Sequence, residues 1–176
     1  MARTPHSLGF PPLASSGCRV LILGTLPGPR SLETHEYYAH PRNAFWPIMG
    51  ALLGTTANDY AGRARSLMAN GIAVWDVLAA AARAGALDSR IERGNAAAND
   101  FTAFYRMHPG ISTICFNGAE AARLYRLLVL PKLAAPLPVA AMHVLPSTSP
   151  TRTMALGQKL EAWAAVLRHV IVGKPA

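Results

Sequence analysis

The sequence predicts an α/β fold: a three-layer α/β/α sandwich around a short, mainly parallel four-stranded central sheet. Four short apolar runs point to it: Arg19 to Leu23, Ile72 to Trp75, Ile111 to Phe116 and Val139 to Leu145. Each has the length and hydrophobicity of a strand buried on both faces. A helical stretch follows each run, which implies right-handed crossovers between parallel neighbours. The polar loops at 24–31, 76, 117 and 146–153 then converge at one edge, where such sheets bind their ligands.

Taken in order, residues 1–17 are rich in Pro, Ser and Gly and read as an arm packed on the sheet edge. After strand one, Gly24 to Pro29 form a turn in which glycines permit close backbone approach and prolines fix the chain. Asn43 to Leu53 carries Phe45, Met49 and Leu52 at helical spacing, with Pro47 tolerated only near the first turn. Asp59 is a candidate N-cap for a helix stopped by Asn70-Gly71. The alanine run Leu78 to Ala84 reads as helix, broken by Gly85 and by Asp88-Ser89-Arg90. Asp100 caps Phe101 to Met107, closed by Pro109-Gly110, and Ala119 to Leu130 follows strand three. Pro131, Pro136 and Pro138 mark a linker, and a last helix covers about Met154 to Val172.

The length of 176 residues suits one domain, 1–176. Hydrophobic content of 51% argues against disorder. Cys18 and Cys115 match no metal spacing and read as reduced core thiols of a cytoplasmic protein. No signal-peptide pattern or apolar run of about 20 residues is present, so no membrane span is expected. The net charge of +8 is mostly arginine, since Lys132, Lys159 and Lys174 are the only lysines. Arginine suits phosphate recognition, but the same excess arises from solubility charge or composition bias. GTLPGPRS lacks the Gly-Lys-Ser/Thr ending of a P-loop, and no G-x-G-x-x-G occurs.

Two motifs carry a resemblance. The first joins Gly24-Thr25-Leu26-Pro27-Gly28 to the block Tyr38-Ala39-His40-Pro41-Arg42-Asn43-Ala44-Phe45-Trp46. The second is Leu145-Pro146-Ser147-Thr148-Ser149-Pro150. Together they resemble the mismatch-specific branch of the uracil-DNA glycosylase superfamily. The doubled Tyr37-Tyr38, the Trp75-Asp76-Val77 triplet and LPSTSP are most similar to its hypoxanthine-DNA glycosylase branch. The resemblance covers about Val20 to Thr153.

It implies a monofunctional DNA glycosylase that flips a deaminated base, hypoxanthine preferred, out of double-stranded DNA and hydrolyses its N-glycosidic bond. It implies no cofactor or metal, a monomer and a nucleoid-associated cytoplasmic location. Gly24, Thr25, Leu26, Pro27 and Gly28 would line the base pocket with Phe45 and Asn117. Tyr38 matches the stacking aromatic, the alternative being core packing with a satisfied hydroxyl; Tyr37 reads as the packing residue. Mismatch-specific relatives position water with an Asn immediately before Pro-Gly, where this chain has Leu26. Asn43 is the candidate substitute, the alternative being a helix cap. Asp76 stands at the base-reading position, where a carboxylate accepts from the N1–H of hypoxanthine; it could instead cap a helix. Asn117, before a Gly, also reads as a turn residue. On the DNA side stand Arg30, Ser31, Arg42, Ser147, Thr148, Ser149, Pro150, Thr151 and Arg152, with Pro150 or a neighbour as wedge. His40 and His143 lie near the site but form no Cys/His ligand pattern. Alternatives are uracil or a broad set of deaminated bases as substrate, turnover of free nucleosides, or a non-enzymatic nucleotide-binding α/β module.

Overall fold

The strand β2 (Val20–Gly24) lies inside the main sheet with all five residues buried. In this computed structural model, which describes residues 6–82, 96–133 and 141–171, β3 (Ile72–Asp76) and β6 (Thr113–Asn117) pair with it in parallel. The edge strand β7 (Ala141–Leu145) pairs in parallel with β6. The order β3-β2-β6-β7 is the four-stranded parallel sheet that the apolar runs predict. The chain steps from β2 to β3 on one side, then crosses to β6 on the other. A crevice therefore opens at the carboxyl ends of β2 and β6. The edge strand departs from full burial, because Met142 and Val144 remain exposed.

The alanine run is the main correction. Leu78–Ala82 is not helix but a strand, β4, which pairs antiparallel with β1 (His6–Leu8) and with β5 (Ala97–Ala98). Alanine is the strongest helix former, but intrinsic propensity is a small free energy, and tertiary pairing overrides it here. Val77 N donates to Gly24 O (2.9 Å) and Leu78 N to Thr25 O (3.0 Å), so the chain leaves β3 extended along the β2 turn. The N-terminal arm supplies the other partner, with Gly9 N donating to Ala79 O and Leu13 bridged to Val74. The expected breaks at Gly85 and 88–90, and the start of the fourth apolar run at Val139, lie outside the described residues.

Helix ends follow the caps read from sequence. In α3 (Tyr60–Ala69) Asp59 accepts from Gly62 N at 2.7 Å, and Gly71 follows with φ of 73°. In α4 (Phe101–Met107) Asp100 accepts from Ala103 N at 2.9 Å. A helix not expected from the sequence, α1 (Pro29–Thr34), starts with proline in its first turn and ends at His35 in the left-handed region. The remaining helices are α2 (Phe45–Leu53), α5 (Ala119–Leu128) and α6 (Leu156–Ile171).

Trp163, Tyr125, Phe45, Phe101, Phe104 and Phe116 fill the core as fully buried rings. Tyr105 and Tyr125 share a buried hydroxyl–hydroxyl hydrogen bond of 2.7 Å. Burial pushes the Tyr125 phenol up to about 12, so both stay neutral. We expect Tyr105→Phe or Tyr125→Phe alone to cost about 1–3 kcal/mol, since each strands a buried hydroxyl. The double variant should cost less than the sum in denaturant unfolding.

Candidate active site

The loops after β2, β3, β6 and β7 meet around a cleft of about 330 Å³. Its lining includes Gly24 to Gly28, Arg30, Ser31, Tyr38, Arg42, Asn43, Asp76, Asn117 and Ser147 to Thr151. Two residues expected at the site lie elsewhere. Phe45 is fully buried and packs beneath Tyr38, with ring centroids 4.0 Å apart and planes 24° apart. Arg152 lines a neighbouring groove with Arg42, Asn43, Pro150 and Lys159.

Tyr38 carries a φ of 57°. Left-handed backbone is unfavourable for a residue with a Cβ and, held by its surroundings, fixes where the ring points. One face of the ring rests on Phe45, and Tyr38 also lines the cleft. Asp76 is 3% exposed at the end of β3, and Asn99 Nδ2 donates to its backbone carbonyl at 2.8 Å. Gly24 makes the meeting of these groups possible. A Cβ there would collide with the Asp76 carboxylate and lie 3.0 Å from the Tyr38 hydroxyl. The phenol and the carboxylate therefore converge over a backbone that only glycine leaves open.

Asn43 precedes α2, and its Oδ1 accepts from Phe45 N at 3.0 Å. The backbone N–H at that contact settles the orientation of the amide. Nδ2 keeps its two donors, and Oδ1 keeps a second lone pair. Asn43 is not the N-cap of α2, which is Ala44; its Oδ1 closes the turn just before the helix while the residue lines the cleft.

The Pro146 to Thr151 loop is braced along its length. Trp163 Nε1 donates to Pro146 O at 3.0 Å, and Lys159 Nζ donates to Ser149 O at 3.1 Å. Asn117 Oδ1 accepts from Thr148 N at 2.8 Å, and its Nδ2 donates to Thr148 Oγ1 at 2.9 Å. Thr148 O accepts from Ala44 N at 2.9 Å, which ties the loop to the start of α2. Thr148 is fully buried, so its side chain serves the loop and not the surface. Ser31 is likewise buried, its hydroxyl accepting from Ala39 N at 3.2 Å. Arg30 pairs with Glu33 at 3.1 Å on the exposed face of α1.

Pro29, within the expected convergent loop, and His40 also line the cleft, whereas sequence reasoning missed Asn99, Trp163 and Lys159 as braces. Tyr37 also reaches the lining, but it packs, as expected, with its hydroxyl donating to Pro11 O at 3.1 Å. Burial, reinforced by the Asp76 charge, pushes its phenol well above the ordinary value. A signal for Lys159 was available: it recurs at i, i+4 and i+8 with Trp163 and Leu167, a buried stripe of α6.

Comparison with known proteins fits this geometry. The family model "Uracil DNA glycosylase superfamily" matches residues 11–169. The chain belongs to the uracil-DNA glycosylase superfamily. Among its superfamily relatives is a hypoxanthine DNA glycosylase of Methanosarcina acetivorans, 34% identical over 163 residues, covering 92% of this chain and 98% of that one. A hypoxanthine DNA glycosylase of Methanosarcina barkeri is 35% identical over 122 residues, covering 68% and 76%. The solution NMR structure of a Methanosarcina acetivorans protein assigned as a uracil DNA glycosylase superposes with a TM-score of 0.76 at 32% identity, covering 94% of this chain and 99% of that one. Within the superfamily fold, Asn117 is the residue on which both sides of the cleft rest. We expect Asn117→Ala to cost about 1–3 kcal/mol and to speed hydrogen exchange at the Thr148 amide. An unchanged exchange rate would show that the loop holds itself.

Proposed function

We propose that this chain is a monofunctional DNA glycosylase that excises hypoxanthine from double-stranded DNA, acting as a monomer. The observation that carries the reading is the convergence of Tyr38, Asp76 and Asn43 on one cleft, in a chain whose relatives are named hypoxanthine DNA glycosylases. Extruding the nucleotide costs a few kcal/mol of stacking and pairing. Stacking the base on Tyr38 returns about 1–3 kcal/mol. The Asp76 carboxylate accepts the N1–H on the pairing edge of hypoxanthine. Hypoxanthine flanks that donor with one acceptor, O6, and a C2–H, whereas uracil flanks its N3–H with two, O2 and O4, so a carboxylate leaves more of the uracil edge unserved.

Water held at Asn43 attacks C1′ of the deoxyribose as the C1′–N9 bond breaks. The electron pair of that bond leaves with the base, the water proton passes to solvent, and an abasic site remains. An amide is a weak base, but an oxocarbenium-like sugar needs only an oriented water. The larger share of the acceleration comes from fixed dipoles, here the backbone N–H groups of Thr25, Leu26 and Gly28, around the departing purine. Leu26, at 5% exposure, offers no polar group for water. Lys159 Nζ is held by the Ser149 carbonyl, and among the described residues no lysine lines the cleft, which supports hydrolysis without a Schiff-base step. On the surface, Arg42, Ser147, Ser149, Thr151 and Arg152 bind phosphates, and Pro150 fills the gap left in the stack. Among the described residues no helix is long and apolar enough to cross a membrane.

The test is incubation with duplexes containing hypoxanthine, uracil, xanthine or ethenoadenine, followed by alkali. Strand breaks should appear with hypoxanthine and persist in EDTA; breaks confined to uracil would transfer the reading to the uracil form. Asn43→Ala should fold and lose at least about tenfold in single-turnover rate, equivalent to about 1.4 kcal/mol; full rate removes it from catalysis. Asp76→Asn should change the ranking of bases, and an unchanged ranking would make Asp76 structural.

A further inference from the structure

Beside the cleft lies a second open groove of about 430 Å³, bounded by Arg42, Arg152 and Lys159 and sharing Asn43 and Pro150 with it. Lys159 is the unusual member. It is 3% exposed, in the first turn of α6, on the stripe that buries Trp163 and Leu167. Lysines are rarely buried unless paired. Among the described residues Lys159 has no acidic partner, and its hydrogen bond goes to a neutral carbonyl, Ser149 O. Burial lowers its pKa, and the Arg152 guanidinium lowers it further. Arg152 thus repels the Lys159 ammonium, and among the described residues no acidic side chain supplies the counter-charge that a buried lysine requires. An anion seated there supplies it.

We propose that this groove is a phosphate site in which Lys159, with Arg42 and Arg152, holds one backbone phosphate of the DNA next to the extruded nucleotide. The inference rests on the DNA-glycosylase reading and adds a site to it. Lys159 acts twice. One N–H fixes the Ser149 carbonyl and with it the loop that carries Pro150, while its charge meets the phosphate when the duplex seats. Arg42 and Arg152 are exposed and present forked donors to the same anion. The buried lysine thereby couples phosphate capture to the position of the loop that enters the duplex.

The scarcity of lysine makes the test direct, since the chain has three, Lys132, Lys159 and Lys174. The Cε and Nζ resonances of wild-type protein are followed while a short duplex containing an abasic site is added, with Lys132 as internal reference. The Lys159 signals should move and its pKa should rise on binding, with Lys132 unmoved. A Lys159 signal that stays put on the bound duplex overturns the site. So does a shift produced by inorganic phosphate that duplex does not reproduce, which marks an adventitious ion only. In parallel, Lys159→Met and Arg152→Gln are compared with wild type for duplex affinity across a salt series. Each loss of a phosphate contact should lower the slope of log affinity against log salt by about 0.9. A folded Lys159→Met protein that melts earlier but keeps the full slope makes the lysine a loop brace alone and overturns the proposal. Base excision by wild type is read separately, so excision with an unmoved Lys159 rejects this site and leaves the proposed activity standing.

Discussion

Two hydrogen bonds between Asn117 and Thr148 hold the cleft in shape. The amide at the end of β6 meets both the backbone and the hydroxyl of Thr148, and Thr148 then passes its carbonyl to Ala44 at the start of α2. Three segments far apart in sequence are joined through one buried threonine. Asn43 stands one residue before that junction, and Asp76 and Asn117 end the two strands that flank β2. The placement of the candidate water-holding amide therefore depends on the distant Thr148 carbonyl as well as on the nearby Phe45 N–H.

A second constraint is steric. The absent Cβ of Gly24 is what admits the Asp76 carboxylate and the Tyr38 hydroxyl to the same small volume. Tyr38 reaches that volume only with a left-handed backbone, and Phe45 supports its ring from below. A strained residue, a glycine and a buried carboxylate at one point are costly for stability, and such costs gather where chemistry is done. The buried aromatic core around Trp163, Phe45 and Phe116 offsets them.

Much of this was legible in the residues. Apolar runs such as Val20 to Leu23 and Ile72 to Trp75 are too short for a helix and are bounded by turn residues, which favours strands. The helices between them make the sheet parallel. Asp59 and Asp100 announced their helices because a cap is a local interaction. Leu78 to Ala82 misled because its conformation is set by β1, more than sixty residues upstream, and not by alanine. Phe45 and Thr148 were expected at the surface of the site, but which of two adjacent layers a side chain occupies depends on packing. Both lie one layer below the surface they support. Lys159 was passed over as ordinary charge, although its helical phase set it among buried residues.

The brace on the Pro146 to Thr151 loop has an energetic consequence for recognition. A mould with its carbonyls already tied down has little ordering left to do when substrate arrives. The work of opening then falls on the double helix, and weakly paired or poorly stacked sites yield first. Lesion search by such a protein becomes a reading of how readily each base pair breathes, before any atom of the base is touched.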